Sequence, residues 1–304
     1  MKKRLTDQEI KEFISKPVFD ERILLSQDKS YHKISVVIPS LNQGKFLEKT
    51  ILSILNQNYP NFELIIIDAG SKDGSLEIIK KYQKYVAYWL SEKDRGQSDG
   101  LNKGFSRATG DVVTEQDADD IYLPGAFYKI NELFKKYPGM DVIYGNRLDI
   151  DKNDKIISER RYVPFSSIVL RYDGMMLGPQ SAFWKRDLFS RIGMYDLKFH
   201  LAMDYDFFVR AALSETKFKH VSYYFSAMRR HEGSKTEIHL GKLPHQKECD
   251  EIDKRYGRKK WLNFPLKIYS LLYRTVWYFL QGDGDYVLNG IKRRIKNKSI
   301  LSGR

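Results

Sequence analysis

The chain of 304 residues is long enough for one large domain or two, and 42% of its residues are hydrophobic, as in ordinary globular proteins. Its one cysteine, Cys249, excludes a disulfide framework and a structural zinc site built from thiolates. The net charge of +13 is uneven, because residues 241–304 hold 15 Lys and Arg against 6 Asp and Glu, a net of +9 that leaves +4 for the first 240 residues. A basic end indicates a polyanionic partner, either nucleic acid or an anionic membrane surface.

The first 33 residues are polar and of mixed charge, and we expect an arm with a short helix at residues 7–14. They include no apolar segment typical of a signal peptide, and the chain has no run of about 18 apolar residues that would span a membrane. With the single cysteine, this predicts a reducing, cytoplasmic location.

Four short apolar runs then alternate with stretches of helical spacing. The predicted strands are residues 34–38, 62–67, 86–90 and 112–116. Strands separated by helices predict parallel pairing through right-handed crossovers. Ligands bind beyond the carboxyl ends of the strands in such sheets. Since Pro39, Asp68 and Asp117 stand at those ends, we expect them to meet in one crevice.

The fourth predicted strand ends in three carboxylates, Asp117, Asp119 and Asp120. Carboxylates this close repel one another and raise each other's pKa, so a cation is expected among them. A divalent metal is the simplest candidate. The alternative is that Asp119 and Asp120 cap a helix that begins at Pro124.

After a predicted helix at residues 124–137 the alternation loosens. Further strands are expected at 142–150, 155–162, 180–184 and 217–228, with a helix at 202–214. The first half of the chain therefore predicts an α/β unit of the size that binds a nucleotide, and the second half predicts a less regular mixture of strands and helices.

Residues 264–281 predict an amphipathic helix in the basic end of the chain. Lys267, Ser270, Arg274 and Gln281 fall on one side, and nearly all the rest of its surface is apolar. This pattern is typical of a helix that lies in a membrane interface, with the alternative that it packs on the protein's own core. The basic run at residues 292–298 favours the membrane surface.

Several short motifs follow one another along the chain in a characteristic order and at characteristic spacings. They are Val36-Val37-Ile38-Pro39-Ser40 with Asn42, Ile65-Ile66-Ile67-Asp68 with Gly70-Ser71-Lys72-Asp73-Gly74-Ser75, Asn102-Lys103-Gly104, Asp117-Ala118-Asp119-Asp120, Gly178-Pro179-Gln180, Met203-Asp204-Tyr205-Asp206, and Arg230-His231-Glu232-Gly233-Ser234-Lys235-Thr236. Over about residues 34–238 the chain thereby resembles family 2 glycosyltransferases of the GT-A fold. The resemblance implies an α/β nucleotide-diphospho-sugar transferase fold with a mostly parallel central sheet flanked by helices. We therefore predict an arm at 1–33, a GT-A domain at 34–240 and a basic helical extension at 241–304.

The resemblance also implies roles for individual residues. Those expected to bind the nucleotide sugar are Pro39, Ser40, Asn42, Asp68, Asp94, Asn102, Asp117 and Ala118. Among them, Asp68 would accept a hydrogen bond from the base, typically the imide N–H of uracil, and Asp117 would reach the ribose or a metal-bound water. Asp119 would bind Mn²⁺ or Mg²⁺ directly, while Asp120 would serve the structure of the cluster.

On the acceptor side, Asp204 matches the family's general base. A helix N-terminus favours its ionised form, which predicts a low pKa; the alternatives are a simple helix N-terminal charge, or Asp206 as the base. Gln180 matches a position near the acceptor. His231 matches a residue that approaches the metal or diphosphate, with an ordinary surface or core histidine as the alternative.

Three departures from the family pattern are Ala69 after Asp68, Leu101 before Asn102 and Met203 before Asp204. The first two leave the nucleotide open. The sequence favours a metal-dependent inverting glycosyltransferase that uses a UDP-sugar and acts on a lipid-linked saccharide or surface polysaccharide, peripheral on the inner face of the plasma membrane. The alternatives are a synthase that glycosylates a polyprenyl phosphate and, more distantly, a basic nucleic-acid-binding protein; we expect no nucleic acid as partner.

Overall fold

The computed structural model describes residues 5–239 and 242–290. Within them, nine strands form one sheet. The strands are β1 Ile34–Ser40, β2 Phe62–Asp68, β3 Tyr88–Ser91, β4 Val112–Glu115, β5 Ile121–Tyr122, β6 Val142–Asp151, β7 Ile156–Arg160, β8 Ala182–Lys185 and β9 Phe218–Arg230. The helices are α1 Asp7–Ser15, α2 Glu21–Leu24, α3 Gly44–Leu55, α4 Ser75–Tyr82, α5 Gln97–Phe105, α6 Ala126–Lys136, α7 Ser167–Asp173, α8 Leu188–Ile192, α9 Met203–Leu213, α10 Lys235–His239, α11 Leu243–Arg255 and α12 Asn263–Leu280.

The first half of the sheet is parallel, as the alternating pattern predicts. Its order is β3-β2-β1-β4, so the chain moves outward from β1 and then returns to the other side of β1 to form β4. The ends of β1 and β4 therefore flank the switch point where such sheets bind ligands. Helix α5 lies close over this region, since a Cβ added at Gly104 would sit 2.3 Å from Cγ1 of Val37.

The second half of the sheet is mixed. Strand β8 runs antiparallel to both β4 and β6, β9 runs parallel to β6, and β5 and β7 are antiparallel additions. The α/β fold with flanking helices is as predicted, but parallel pairing prevails only in the first half. One reason is the short turn between β6 and β7, because a parallel pair needs a crossover of a dozen residues or more.

The N-terminal segment packs on the mixed half. Helix α1 begins with a capping box, in which the Thr6 hydroxyl accepts from the Glu9 N–H and the Glu9 carboxylate accepts from the Thr6 N–H. Ile10 and Ile14 are buried in a cluster with residues of β5, β6 and β9. The predicted short helix is present and holds the arm to the domain.

The C-terminal segment is helical in its described part. Helix α11 packs on α9, and α12 packs on α7. None of the helices in residues 5–239 and 242–290 combines the length and apolar character that a bilayer crossing needs. The basic run at 292–298 lies outside the described residues, and the domain division at residue 240 stays a prediction.

Helix α12 turns its polar side toward the protein. Ser270 is fully buried, Arg274 Nε lies 2.8 Å from Asp173 Oδ2, and Gln281 accepts a hydrogen bond from Ser222. Seven apolar side chains face outward with 47–78% of their surface exposed: Phe264, Ile268, Leu271, Leu272, Val276, Phe279 and Leu280. Tyr273, Trp277 and Tyr278 of the same helix pack against the main core cluster. The helix therefore packs on the protein with one side, as the alternative expects, and exposes an apolar surface on the other; membrane contact stays a prediction.

Candidate active site

Two adjoining pockets open at the carboxyl ends of the parallel strands. The strand-end pocket, of about 430 Å³, is lined by the end of β1, the start of α5 and the loop after β4. The α9 pocket, of about 810 Å³, is lined by Asp204, Gln180 and parts of α7, α11 and α12. Gln97, Asp117, Lys235 and His239 line both pockets, so they form the wall between them.

The loop from Asp117 to Asp120 is fixed by buried contacts. The Thr50 hydroxyl donates to the carbonyls of Ala118 and Asp120 at 2.9 and 2.7 Å. The buried Arg229 donates through Nε to the Asp119 carbonyl at 2.8 Å, and its backbone N–H donates to Asp120 Oδ1 at 2.7 Å. Helix α6 begins after Gly125 with no side-chain cap, so the alternative that these acids cap a helix at Pro124 is wrong.

Two amide side chains, those of Gln97 and Gln180, hold Asp117 in place. Gln97 Nε2 donates to Oδ1 at 2.7 Å, and Gln180 Nε2 donates to Oδ2 at 2.9 Å. Gln97 in turn accepts a hydrogen bond from Lys235 Nζ at 2.9 Å. Gly96 places Gln97 at the start of α5 with φ +109°, a conformation that other residues rarely adopt. Sequence reasoning chose Asp94 from this segment and missed Gln97, which stands at a helix start after glycine.

The predicted metal residues lie together. Oxygen atoms of Asp117, Asp119 and Asp120 lie within 4.8 Å of one another. His231 Nε2 is 2.8 Å from Asp119 Oδ2, although 112 residues separate them in the chain. His231 also packs on Phe46, with ring centroids 4.8 Å apart.

The electrostatics of this cluster fit a bound cation. Burial and the neighbouring Asp119 carboxylate raise the pKa of Asp117 to about 6 and that of Asp120 well above its usual range. Oδ2 of Asp120 is buried without a hydrogen-bond partner in the described part of the chain. Carboxylate oxygens are ligands that Mn²⁺ and Mg²⁺ accept, and a cation there would offset the repulsion.

Five of the predicted nucleotide-sugar residues line the strand-end pocket: Pro39, Ser40, Asp94, Asp117 and Ala118. Ser40 Oγ is buried and has no hydrogen-bond partner within residues 5–239 and 242–290. A buried hydroxyl without a partner is expected to bind something that enters the pocket.

Three other predicted residues, Asn42, Asp68 and Asn102, line neither pocket. Asp68 is fully buried and accepts hydrogen bonds from the N–H groups of Gly70 and Ser71 and from the hydroxyls of Ser71 and Ser91. Asn42 accepts from the Lys72 N–H, and Asn102 makes two hydrogen bonds to the backbone of Tyr195. Their side chains thus hold the turns that surround the site.

Asp204 stands in the first turn of α9 and faces the α9 pocket. Burial raises its pKa, and this outweighs the hydrogen bond from the Tyr205 N–H that lowers it. The expectation of a low pKa is therefore wrong, and the carboxylate is a stronger base than an exposed aspartate. Asp206 does not line the pocket; it is fully buried, with Arg210 Nε 2.8 Å from its Oδ2.

Helix α11 braces the start of α9, a feature that sequence reasoning missed. The Glu248 carboxylate accepts from the backbone N–H groups of His200, Leu201 and Ala202, the last at 2.9 Å. Tyr205 donates to Asp253 at 2.7 Å. Nothing in the spacing of residues 241–255 signals these contacts, which depend on how α11 folds back.

The fold is the GT-A fold of glycosyltransferases, and comparisons with known proteins agree. The family model for glycosyl transferase family 2 matches residues 35–197. An uncharacterized glycosyltransferase of Nostoc sp. is 36% identical over 131 residues, which are 42% of this chain and 40% of that protein. The chain thus spans less than half the length of that relative.

Two solved structures are similar in fold. S. aureus TarS in complex with UDP-GlcNAc has a TM-score of 0.60 at 20% identity, over 74% of this chain and 65% of that one. The mannosyltransferase PcManGT of Pyrobaculum calidifontis, in complex with GDP-Man and Mn²⁺, has a TM-score of 0.52 at 18% identity, over 88% of this chain and 80% of that one.

The chain belongs to glycosyl transferase family 2, and this membership supports an enzyme of class EC 2.4. The predicted family is confirmed, and membership does not favour the nucleic-acid-binding alternative. The family match ends at residue 197, so Asp204 and His231 lie beyond it.

Proposed function

We propose that the enzyme transfers a sugar, with inversion, from a nucleotide-diphosphate donor in the strand-end pocket to a hydroxyl of an acceptor in the α9 pocket. The observation that carries the proposal is the shared wall. Asp117, with the acid cluster behind it, and Asp204 line the same α9 pocket, and Asp117 also lines the strand-end pocket. A donor and an acceptor would meet at this wall.

The donor's diphosphate is assigned to the acidic loop together with a divalent ion. Asp119 and His231 would hold Mn²⁺ or Mg²⁺, with Asp117 beside it and Asp120 behind it. When bound, the ion supplies positive charge that stabilises the departing diphosphate. The Mn²⁺ in the PcManGT complex supports the use of a divalent ion, and UDP-GlcNAc in the TarS complex supports a UDP-sugar as the favoured donor.

Asp204 acts as the general base. It accepts the proton of the acceptor hydroxyl, whose oxygen bonds to the anomeric carbon as the bond from that carbon to the diphosphate oxygen breaks. The nucleoside diphosphate leaves on the opposite face, which inverts the anomeric centre. The raised pKa of Asp204 suits this role, because a stronger base takes the proton more readily.

The acceptor we propose is a lipid-linked saccharide or a surface polysaccharide at the inner face of the plasma membrane. The outward apolar side of α12 supports work at a membrane surface, because soluble proteins rarely expose a contiguous apolar patch without a partner. Gln180, which lines the α9 pocket and donates a hydrogen bond to Asp117, would contact this acceptor.

A test is turnover of a panel of nucleotide sugars by the full chain with Mn²⁺, followed as nucleotide release and as product formation. We expect at least one donor to be used, loss of turnover with EDTA, and loss of transfer in Asp204→Asn with donor binding unchanged. Asp250→Asn, an exposed carboxylate on α11, is the matched control. No turnover or binding with any donor would contradict the proposal.

The Asp204→Asn variant also tests the alternative that the enzyme is a polyprenyl-phosphate sugar synthase. A phosphate acceptor is already an anion and needs no base, so that alternative expects Asp204→Asn to retain transfer. The two carboxylates Asp117 and Asp204 on the wall of the α9 pocket disfavour a phosphate as the attacking group there.

A further inference from the structure

Acidic and basic side chains both line the α9 pocket, and they come from different elements. Asp117 and Asp204 stand where the acceptor hydroxyl is expected. Arg171, Arg258 and Lys267 line the part formed by α7, the turn after α11 and α12, which we call the outer end of the pocket. Nothing in the proposed transfer uses these three cations.

The positive charge of the outer end is only partly balanced. Asp253 is paired with Arg258, and Asp173 is paired with Arg274. Arg171 donates one hydrogen bond to the carbonyl of Tyr256 at 2.7 Å. Neither Arg171 nor Lys267 has an ion-pair partner among the residues that the structure describes. Arg171 and Lys267 therefore line the pocket without a salt bridge of their own, which favours an anionic ligand beside them.

The apolar side of α12 begins beside this end of the pocket. Lys267 is followed at once by Ile268, and Phe264 and Leu271 lie one helical turn before and after it, all three with exposed side chains. The only charged side chains of α12 are Lys267, on the pocket, and Arg274, paired with Asp173. A ligand that leaves the pocket past Lys267 thus meets a purely apolar surface.

We propose that the outer end of the α9 pocket binds the phosphate of a lipid-linked acceptor, and that the outward side of α12 contacts its lipid in the bilayer. The inference rests on the proposed function and names the class of acceptor: a saccharide whose free hydroxyl reaches Asp204 and whose other end carries a phosphate and an apolar chain. Two guanidinium groups and an ammonium group suit phosphate oxygens, since arginine forks bind them with two hydrogen bonds. A pocket of about 810 Å³ has room for a short saccharide as well as the phosphate.

The alternatives for the apolar side are a polysaccharide with no lipid and a second copy of this chain. A neutral polysaccharide gives no role to Arg171 and Lys267. A second copy would cover the apolar residues but would leave the two cations unused. The phosphate lipid accounts for both features with one ligand.

The experiment measures binding of three probes to the full chain by fluorescence of its tryptophans, among which Trp261 is 75% exposed just before α12. The probes are dodecyl phosphate, inorganic phosphate and dodecyl maltoside, each below its micelle concentration. We expect dodecyl phosphate to bind about 10-fold or more tighter than either of the others, because it alone combines charge and chain.

Two double variants test the proposed phosphate site and the proposed lipid-contacting surface separately. The double variant Arg171→Ala with Lys267→Ala should weaken the binding of dodecyl phosphate about 10-fold, which corresponds to the loss of roughly one charge-assisted hydrogen bond. The binding of dodecyl maltoside should not change. Leu272→Glu with Phe279→Glu should weaken both alkyl probes. The matched control is Lys259→Ala with Lys260→Ala, two exposed lysines that do not line the pocket.

The proposal is overturned if the Arg171 and Lys267 pair leaves dodecyl phosphate binding unchanged, or if inorganic phosphate binds as tightly as dodecyl phosphate. It is also overturned, in favour of a second copy, if the Leu272 and Phe279 pair converts a dimer to a monomer in sedimentation without changing probe binding. Binding of UDP with Mn²⁺, measured on every variant, reports separately on the proposed function and should not change.

Discussion

The two pockets are built in different ways. The strand-end pocket is formed by the carboxyl ends of β1 and β4 and the loops that follow them, so its residues are fixed by the pairing of a parallel sheet. The α9 pocket is assembled from α7, α9, α11 and α12, which come together only through tertiary packing. The first pocket therefore depends on the common fold, whereas the second can vary with the acceptor.

The largest effect is expected at the acid cluster. Asp119→Ala removes the proposed direct ligand of the metal, and we expect donor binding in the presence of Mn²⁺ to fall by about 100-fold or more, since the diphosphate loses its counter-charge. Asp120→Ala should mainly lower the melting temperature, because Asp120 bonds the buried backbone of Arg229. Calorimetric titration with UDP and thermal unfolding measure both. Equal behaviour of the two variants would contradict the division of roles.

The acceptor side is tested by its dependence on pH. Only the ionised form of Asp204 accepts a proton, and its folded pKa lies above the ordinary value because of burial. Below that pKa, we expect kcat/KM for the acceptor to fall about 10-fold for each unit by which pH is lowered. Donor binding measured over the same range identifies any contribution of the acid cluster. A residual activity of Asp204→Asn with the same acid limb would assign the limb to another group.

A smaller effect is expected where α11 braces α9. Glu248→Gln keeps the size of the side chain but weakens three hydrogen bonds to the backbone that precedes Asp204. We expect kcat to fall roughly 10-fold, because a base displaced by a fraction of an ångström is poorly placed, while UDP binding stays unchanged. Glu251→Gln, on the same helix and paired with Lys198 at the surface, is the control. A fall in stability with no change in kcat would make the contact purely structural.

The smallest effect on activity is expected at Asp68. Its carboxylate accepts hydrogen bonds from two backbone N–H groups and two hydroxyls, and an asparagine amide would point N–H groups at such donors. Asp68→Asn should lower the free energy of unfolding by about 2 kcal/mol or more and leave the relative affinities for UDP, GDP and TDP unchanged. Urea unfolding and nucleotide titration check this. A change in nucleotide preference would instead support the base contact that the family resemblance predicts.

Much of the fold was predictable because strands and helices alternate in the first half. The apolar runs before Pro39 and Asp117 identify β1 and β4, and their end positions identify the crevice. The mixed half was harder, since β5 has only two residues and α7 and α8 carry no clear periodicity. The prediction placed Asp204, Gln180 and the acid cluster on the pockets, but Gln97 and Glu248 depend on contacts between distant segments. Local patterns do not encode such contacts.

The buried contacts of Arg229 and His231 also bear on how the chain acquires its site. Asp120 and Arg229 are 109 residues apart, and Asp119 and His231 are 112 apart, so the acid cluster is completed only after β9 has paired with β6. Contacts of such long range form late, because closing the intervening loop costs entropy. During synthesis the three acids emerge more than a hundred residues before their partners. A chain that stops at residue 197, where the family match ends, contains every carboxylate of the cluster but lacks the arginine and histidine that organise it.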